Sequence, residues 1–293
     1  MCTLSVVSSP ADAPHCLWRA VFARDELRSR PPSGTPRLHS GPARALYPID
    51  AAGGGTWLAA TEHGLLLALL NQNPRPGPAG AGPQRAAGGR SRGTIIPALT
   101  GAQSLAEAQR ALGALDPAGL APFRLVALDG SGVVVASWTG RSYRVRRAGG
   151  RDGLFMVCSS GLGDHVVRPH RHRLLERTLA RLGPTARAQD AFHATHDPAR
   201  GQLSPMMARR DARTVSVCLV EREPSRFVLR FRLVQGDAQL GDEHRSELAT
   251  HGSPARGAQA RGAEARDIQA RAALPTGAAG AARSLAAWPG RDA

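Results

Sequence analysis

The sequence predicts an α+β domain built mainly from antiparallel strands. Short apolar runs recur in pairs separated by tight turns, and leucines at helical spacing occur in only two segments. Short turns join antiparallel strands, whereas a parallel pair needs a long crossover between its strands. Many hairpins with few helices therefore favour antiparallel sheets. At 293 residues the chain is long enough for one large domain or two small ones.

Strands are predicted in four consecutive pairs. They cover residues 4–7 and 17–23, 56–60 and 65–71, 123–128 and 133–139, and 214–220 and 227–233. The third pair flanks the tetrapeptide DGSG at 129–132, which offers glycine where a hairpin needs positive φ. In the last strand Leu229, Phe231 and Leu233 alternate with arginines, which predicts one buried and one solvated face.

Two helices are predicted. The first begins after Ser104, which forms a capping box with Glu107. The second has Pro169 in its first turn and ends at Gly183. Leucines line one face of each helix: Leu105, Leu112 and Leu115 in the first, and Leu175, Leu179 and Leu182 in the second.

The chain divides into a folded part, residues 1–235, and a tail, residues 236–293. The tail consists mostly of Ala, Gly, Arg and small polar residues. Such a composition cannot bury enough apolar surface to offset the entropy of ordering, so we predict that the tail is disordered. Its arginines and acidic residues are equal in number, and the net charge of +15 therefore belongs to the folded part.

The positive charge does not by itself indicate a nucleic-acid partner. All 38 basic residues are arginine, and Ala, Gly and Pro are abundant as well, which is typical of a GC-rich coding sequence. Aromatic residues make up only 4% and do not alternate with the arginines, as a base-stacking surface would require. We predict no nucleic-acid partner.

Cysteine and histidine usage predicts neither disulfides nor a metal site. The four cysteines are widely spaced and form no CxxC pair, which favours reduced thiols and a cytoplasmic protein. The histidines lack the spacing of a tetrahedral ligand set, and no cofactor is predicted. The start of the chain lacks a secretory signal, and no apolar run approaches the ~20 residues of a membrane helix.

Cys2 is the most informative single position. Removal of Met1 would leave a cysteine with a thiol and a free α-amine, whose unperturbed pKa is about 7.7–8.0. A thiol beside its own base is an activated nucleophile. The alternative is that Cys2 is an ordinary residue near the chain start, without chemistry.

Further short motifs accompany Cys2. They are ARDE at 23–26, GGGTWL at 53–58, a strand ending in Asn71, SRG at 91–93, SSGL at 159–162 and DARTVS at 211–216. Together they resemble the NRDE family, which is named for Asn-Arg-Asp-Glu and includes Transport and Golgi organisation protein 2. The resemblance covers residues 1 to about 235.

The family is similar to N-terminal nucleophile hydrolases of the bile-salt hydrolase and penicillin V acylase type. This resemblance implies a four-layer αββα sandwich with the cysteine at the end of a central strand. It implies that Arg24 and Asp25 hold the thiol and the α-amine of Cys2. A nearby guanidinium lowers the pKa of a thiol, and a carboxylate orients an amine. The two residues could also form a purely structural ion pair.

The resemblance also assigns three later residues to the site. Asn71 takes the place of an oxyanion-hole amide, although an Asn there could equally cap a turn. Ser160 stands where a second Asn is expected, and its hydroxyl can still donate one hydrogen bond. Arg213 corresponds to a late arginine of the hydrolases. The Asn of the naming motif is replaced by Ala23.

Two functions follow from the resemblance. The first is an amidohydrolase that attacks a small amide or acyl substrate through Cys2. The second is a non-enzymatic protein that binds or carries an anionic amphipathic ligand such as haem or acyl-CoA, with a role in lipid homeostasis and Golgi or secretory organisation. For either function we predict a cytoplasmic protein, with Golgi or mitochondrial association as an alternative. The oligomeric state is not predicted.

Overall fold

A computed structural model describes residues 2–73, 89–149 and 153–251. Within them the strands are β1 Cys2–Ser8, β2 Trp18–Leu27, β3 Arg37–His39, β4 Ala45–Tyr47, β5 Leu58–Thr61, β6 Leu66–Asn71, β7 Phe123–Asp129, β8 Gly132–Trp138, β9 Tyr143–Ala148, β10 Leu154–Ser159, β11 Ala212–Glu223, β12 Arg226–Gln235 and β13 Gln239–Ala249. The α-helices are α1 Ile95–Leu99, α2 Leu105–Gly113, α3 Asp164–Leu182 and α4 Ala186–His193. Short 3₁₀ turns lie at Arg92–Thr94 and Pro198–Arg200.

The strands form two sheets in which every neighbouring pair is antiparallel. The first sheet has six strands in the order β10-β1-β2-β11-β12-β13, and the second has seven strands in the order β3-β4-β5-β6-β7-β8-β9. The second sheet follows the chain order, as successive hairpins would produce. In the first, β1 lies between β2 and β10, which places the start of the chain in the interior of the sheet.

The largest apolar cluster lies between the two sheets. Leu4 and Phe22 of the first sheet pack there against Leu66 and Val126 of the second. A second cluster joins the other face of the second sheet to α1 and α2, and a smaller one joins the first sheet to α3 and α4. The layers are therefore α, β, β and α. The predicted four-layer α+β architecture is confirmed.

All eight predicted strands and both predicted helices are present. The hairpin at 129–132 has positive φ at Gly132, and the Ser104 hydroxyl caps α2 by accepting the Glu107 N–H. The start of the second helix is wrong, because α3 begins at Asp164 and Pro169 therefore lies beyond the first turn. Five strands were not predicted: β3, β4, β9, β10 and β13.

The prediction of disorder from residue 236 is wrong for β13. This strand pairs with β12 along its length, and charged side chains link the two strands. Glu243 lies 3.3 Å from Arg232, and Glu247 lies 3.0 Å from Arg226. Backbone pairing and cross-strand ion pairs thus replace the apolar contacts that the composition lacks. Residues 252–293 of the predicted tail lie outside the described residues.

Candidate functional site

One end of the sandwich contains a cavity of about 700 Å³. Cys2, Arg24 and Asp25 of the first sheet and Asn71 of the second all line it. These four residues come from three strands that are far apart in the sequence. The structure thus brings together four of the six predicted site residues.

Cys2 begins β1 and lies directly opposite Arg24 of β2 and Ser159 of β10. Its central position leaves it 6% exposed. The backbone N–H of Asp25 donates a hydrogen bond to the thiol. Burial nevertheless raises the pKa of Cys2, and the Asp25 carboxylate acts in the same direction, whereas the Arg24 guanidinium opposes them. The expected lowering by Arg24 is present but is outweighed by burial.

The Asp25 carboxylate is held by partners from two other elements. The Thr214 hydroxyl lies 2.6 Å from Oδ1, and Nη2 of Arg171 lies 3.6 Å from Oδ2. Both Asp25 and Arg171 are 1% exposed. Burial raises the pKa of Asp25, and the charge of Arg171 is the largest opposing influence.

A β-bulge brings Thr214 to this place. The pairing of β11 with β2 changes register between Thr214, which faces Asp25, and Ser216, which faces Arg24. Bulges of this kind redirect side chains and often lie next to functional sites. Here the irregularity falls beside the two predicted site residues of β2.

Arg24 belongs to an ionic cluster on the cavity wall. Its guanidinium lies 4.2 Å from the ring centre of Trp57, 3.3 Å from Glu26 and 3.4 Å from Asp50. Arg30 contacts the same two acids. Partial burial acts to raise the pKa of Asp50, but the hydrogen bond and charge of Arg30 and the charge of Arg24 lower it overall. The cluster fixes Arg24 beside Cys2.

Asn71 is the last residue of β6 and lies opposite Phe123 of β7. It is partly exposed and lines the cavity. A side-chain amide at this edge can donate a hydrogen bond to a ligand in the cavity. The oxyanion-hole role that the resemblance implies for Asn71 stays a prediction.

Ser160 and Arg213 are not among the residues that line the cavity. The Ser160 N–H donates to Asp164 over 2.9 Å, and the Ser160 hydroxyl accepts from the Leu162 N–H, so this residue shapes the start of α3. The Arg213 guanidinium donates to the carbonyl of Val234 over 3.0 Å and to that of Gly236. It secures the end of β12.

Three residues at the site were not predicted for it: Trp57, Thr214 and Arg171. Trp57 lies in the GGGTWL motif and Thr214 in the DARTVS motif, and membership of these motifs was the sequence signal that could have identified them. Arg171 lies on the buried side of α3 with Val167, Leu175 and Thr178. A charged residue at helical spacing within an apolar stripe was the sequence signal that could have identified it.

The described residues offer no preformed metal centre. No three His, Cys, Asp or Glu side chains within them converge on one point. All four cysteines are buried and unpaired with one another. None of the helices in residues 2–73, 89–149 and 153–251 is long and apolar enough to cross a membrane.

Several solved structures are similar to this chain at low identity. One is the N-acylethanolamine-hydrolyzing acid amidase ortholog of Caenorhabditis elegans, with 12% identity, a TM-score of 0.48, and coverage of 74% of this chain and 91% of the other. An arginine-to-leucine variant of conjugated bile acid hydrolase from Clostridium perfringens has 9% identity, a TM-score of 0.47, and coverage of 86% and 97%. A cysteine-to-alanine mutant of the same hydrolase has 10% identity and a TM-score of 0.45, with coverage of 86% and 98%.

No curated protein matches the sequence. The sequence model of the family described as Transport and Golgi organisation 2 matches residues 4–192, which is more than half of the 293 residues. The matched segment includes β2 and β6, the strands that carry Arg24, Asp25 and Asn71, whereas Cys2 lies two residues before its start. The chain belongs to the Transport and Golgi organisation 2 family.

Proposed function

We propose that this protein is an N-terminal-cysteine amidohydrolase that acts on a small amide or acyl substrate. One observation carries the proposal: Cys2, Arg24, Asp25 and Asn71, which lie on three different strands, line a single cavity of about 700 Å³. A nucleophile and an amide donor at a ligand-sized cavity, with a buried carboxylate next to the nucleophile, are the groups that acyl transfer needs.

The proposed reaction begins with removal of Met1, which gives Cys2 a free α-amine. Burial raises the pKa of the thiol, so the thiol is protonated at neutral pH and needs a base. The α-amine takes the thiol proton, and Sγ attacks the carbonyl carbon of the substrate to form a C–S bond. The electron pair of the carbonyl moves onto its oxygen.

The remaining steps return the enzyme to its starting state. The Asn71 amide donates to the oxyanion, an interaction worth about 3–4 kcal/mol in other acyl-transfer enzymes. The C–N bond then breaks, and the leaving amine takes the proton held by the α-ammonium group. Water attacks the thioester, gives a proton to the α-amine, and releases the acid. Asp25 orients the α-amine throughout, and the thiol regains its proton.

Probe labelling tests this function. Intact-mass analysis is expected to find the chain without Met1, and an electrophilic β-lactam or amide probe is expected to add once, at Cys2. Cys2→Ala should abolish the addition. Cys16→Ala is the matched control, because Cys16 is also buried but lies outside the cavity. Retention of Met1, or labelling that survives Cys2→Ala, would reject the hydrolase function.

A second function is favoured by the arginines of the same cavity, which outnumber its acidic lining residues by four to three. Arg24, Arg30, Arg90 and Arg92 line it together with the indole of Trp57. Guanidinium groups recognise carboxylates and phosphates, and an aromatic wall suits an apolar body. An anionic amphipathic ligand such as haem or acyl-CoA would therefore fit, in a carrier with a role in lipid homeostasis or Golgi organisation.

Titration separates the two functions. The Cys2→Ala protein is expected to bind haem or acyl-CoA saturably if carriage is the function, and Arg90→Gln should weaken this binding. Arg187→Gln, on the exposed side of α4, is the matched control. No saturation with either ligand would reject carriage. A cytoplasmic location with Golgi or mitochondrial association stays a prediction that cell fractionation can test.

A further inference from the structure

Arg171 reaches the site from the helical layer. It lies in α3, is 1% exposed, and makes contacts with three other parts of the chain. Its Nε donates to the Leu203 carbonyl over 3.2 Å, and its Nη2 donates to the Ser204 carbonyl over 2.7 Å. These two carbonyls hold the Nε–Nη2 edge of the guanidinium.

The same guanidinium also contacts the strands that carry the site. Nη1 donates to the Thr3 hydroxyl, one residue after Cys2, and Nη2 lies 3.6 Å from the Asp25 carboxylate. A buried guanidinium and a buried carboxylate each need an opposite charge, because removal of one leaves the other uncompensated. Arg171 and Asp25 each provide the opposite charge that the other needs.

The pleat of the first sheet separates Arg171 from the cavity. Side chains alternate between the two faces of a strand, so Thr3 and Asp25 point to the face opposite that of Cys2 and Arg24. Because Thr3 and Asp25 both contact Arg171 of α3, their side chains lie on the face of the first sheet that packs against the helices. Arg171 is accordingly not among the residues that line the cavity.

The charges and donors that face Asp25 come from several elements. Arg171 of α3 and the positive amino terminus of the chain favour its ionised form, as does the hydrogen bond from Thr214 of β11. The Cys2 thiol of β1 is close enough for its charge to interact with that of Asp25, and the effect of burial opposes ionisation of the carboxyl. Among these groups Arg171 has the largest favourable effect on the carboxylate.

We infer that Arg171 is a positioning residue for the Cys2 reaction: its contact with Asp25 keeps that carboxylate ionised and directed toward the α-amine of Cys2. The inference rests on the proposed hydrolase function, because an oriented α-amine matters only if Cys2 reacts. Arg171 lines no part of the cavity, and the role inferred for it is exerted through Asp25.

The experiment measures the rate of β-lactam addition to Cys2 between pH 5 and 9. Arg171→Gln retains donors for the Leu203 and Ser204 carbonyls but removes the charge. Without that charge, Asp25 is expected to become protonated at higher pH. The acidic limb of the profile, which is the range in which the rate falls as the pH decreases, should therefore move up by about 1–3 pH units. Arg171→Lys keeps the charge and should leave the limb within about one unit of that of the wild type.

Arg19→Gln is the matched control. Arg19 lies on the same face of β2, is 2% exposed, and pairs with Asp190 over 2.5 Å, but it is not a lining residue of the cavity. Its loss should not move the limb. Asp25→Asn should remove the part of the limb that is due to Asp25 and leave the part due to the α-amine, and addition of Arg171→Gln to Asp25→Asn should reduce the rate no further, because both changes act on one interaction.

The outcomes separate this inference from the proposed function. A wild-type chain that is not labelled at Cys2 rejects both. A labelled wild type with an unchanged profile in folded Arg171→Gln rejects only the role of Arg171, as does an effect that adds to that of Asp25→Asn. If Arg171→Gln does not fold, the Asp25→Asn, Arg171→Gln double variant should restore cooperative unfolding. A double variant that stays unfolded would reject the coupling.

Discussion

Thr214 and Asp25 lie opposite each other on β11 and β2, and the Thr214 hydroxyl donates a 2.6 Å hydrogen bond to the Asp25 carboxylate. The direction of this bond is fixed, because the same hydroxyl oxygen accepts the Met207 N–H over 2.8 Å. Asp25 is thus held by a strand on one side and by α3 on the other. This arrangement makes its ionisation depend on two elements that do not line the cavity.

Thr214→Val should destabilise the protein. Valine keeps the shape but leaves the Met207 N–H and one oxygen of Asp25 without their partner, at a cost of about 1–3 kcal/mol. Urea unfolding at pH 7 measures the loss. Thr214→Ser is the matched control, since serine keeps the hydroxyl and lacks only a methyl group. Equal stability of the two variants would contradict the assigned hydrogen bonds.

Gly55→Ala should disturb the cavity wall. A Cβ atom at Gly55 would lie 2.5 Å from the backbone carbon of Gly93, so the two lining segments would have to separate. Such overpacking costs about 1–3 kcal/mol, and thermal unfolding should register it. Gly34→Ala is the control, because no atom lies within 4 Å of the added group. Equal melting temperatures for the two variants would show that the segments do not touch.

Local patterns were sufficient to predict much of the fold. Alternating apolar residues and DGSG specify their hairpin, and Ser104 with Glu107 specifies the start of α2, because these signals depend only on neighbouring residues. The short strands β3 and β4 have three residues each and depend on the pairing of β4 with β5 and of β3 with β4 rather than on their own composition. The same holds for β13, which is charged and paired at a sheet edge.

The site was predictable only in part, for a related reason. Cys2, Arg24, Asp25 and Asn71 lie in recognisable motifs, and the structure brings them together. Ser160 and Arg213 lie in motifs too, but their side chains serve a turn and a strand end. The apolar stripe marks Arg171 as a buried charge, but its partners could not be predicted from the sequence, because they depend on the packing of α3 against β1 and β2, which no local pattern specifies.

Asp50→Asn should destabilise the protein at neutral pH and have little effect in acid. The pKa of Asp50 is lowered in the folded protein from its usual 3.8, so its ionised form favours folding above that value. This contribution is lost as the pH falls through the lowered pKa. The difference in unfolding free energy between wild type and variant should therefore shrink between pH 5 and 3.

The control for this measurement is Asp211→Asn. Asp211 pairs with Arg209 over 2.8 Å, but its side chain is 61% exposed, and exposed pairs contribute little. Denaturant unfolding of both variants at pH 7 and 3 makes the comparison. A constant difference for Asp50→Asn across this range would mean that Arg24 and Arg30 do not bind the charge of Asp50.

His193→Gln should weaken the pH dependence of stability. His193 is 3% exposed at the end of α4, and its Nε2 lies 2.8 Å from the Ser5 hydroxyl. Burial lowers its pKa from 6.5 to about 3, and the charges of Arg19 and Arg171 act in the same direction. The folded protein thus keeps a neutral imidazole where the unfolded chain binds a proton.

The sign of the effect follows from this difference. Below pH 6.5 the unfolded state binds more protons, so stability falls as the pH decreases toward 3 and is constant above 6.5 with respect to this group. For one group, the slope of the unfolding free energy against pH approaches about 1.4 kcal/mol per pH unit.

Urea unfolding at pH 7, 6 and 5 should show a shallower slope for His193→Gln than for the wild type. His15→Gln, at an exposed turn, should keep the wild-type slope. Parallel slopes for all three proteins would mean that His193 is protonated in the folded state.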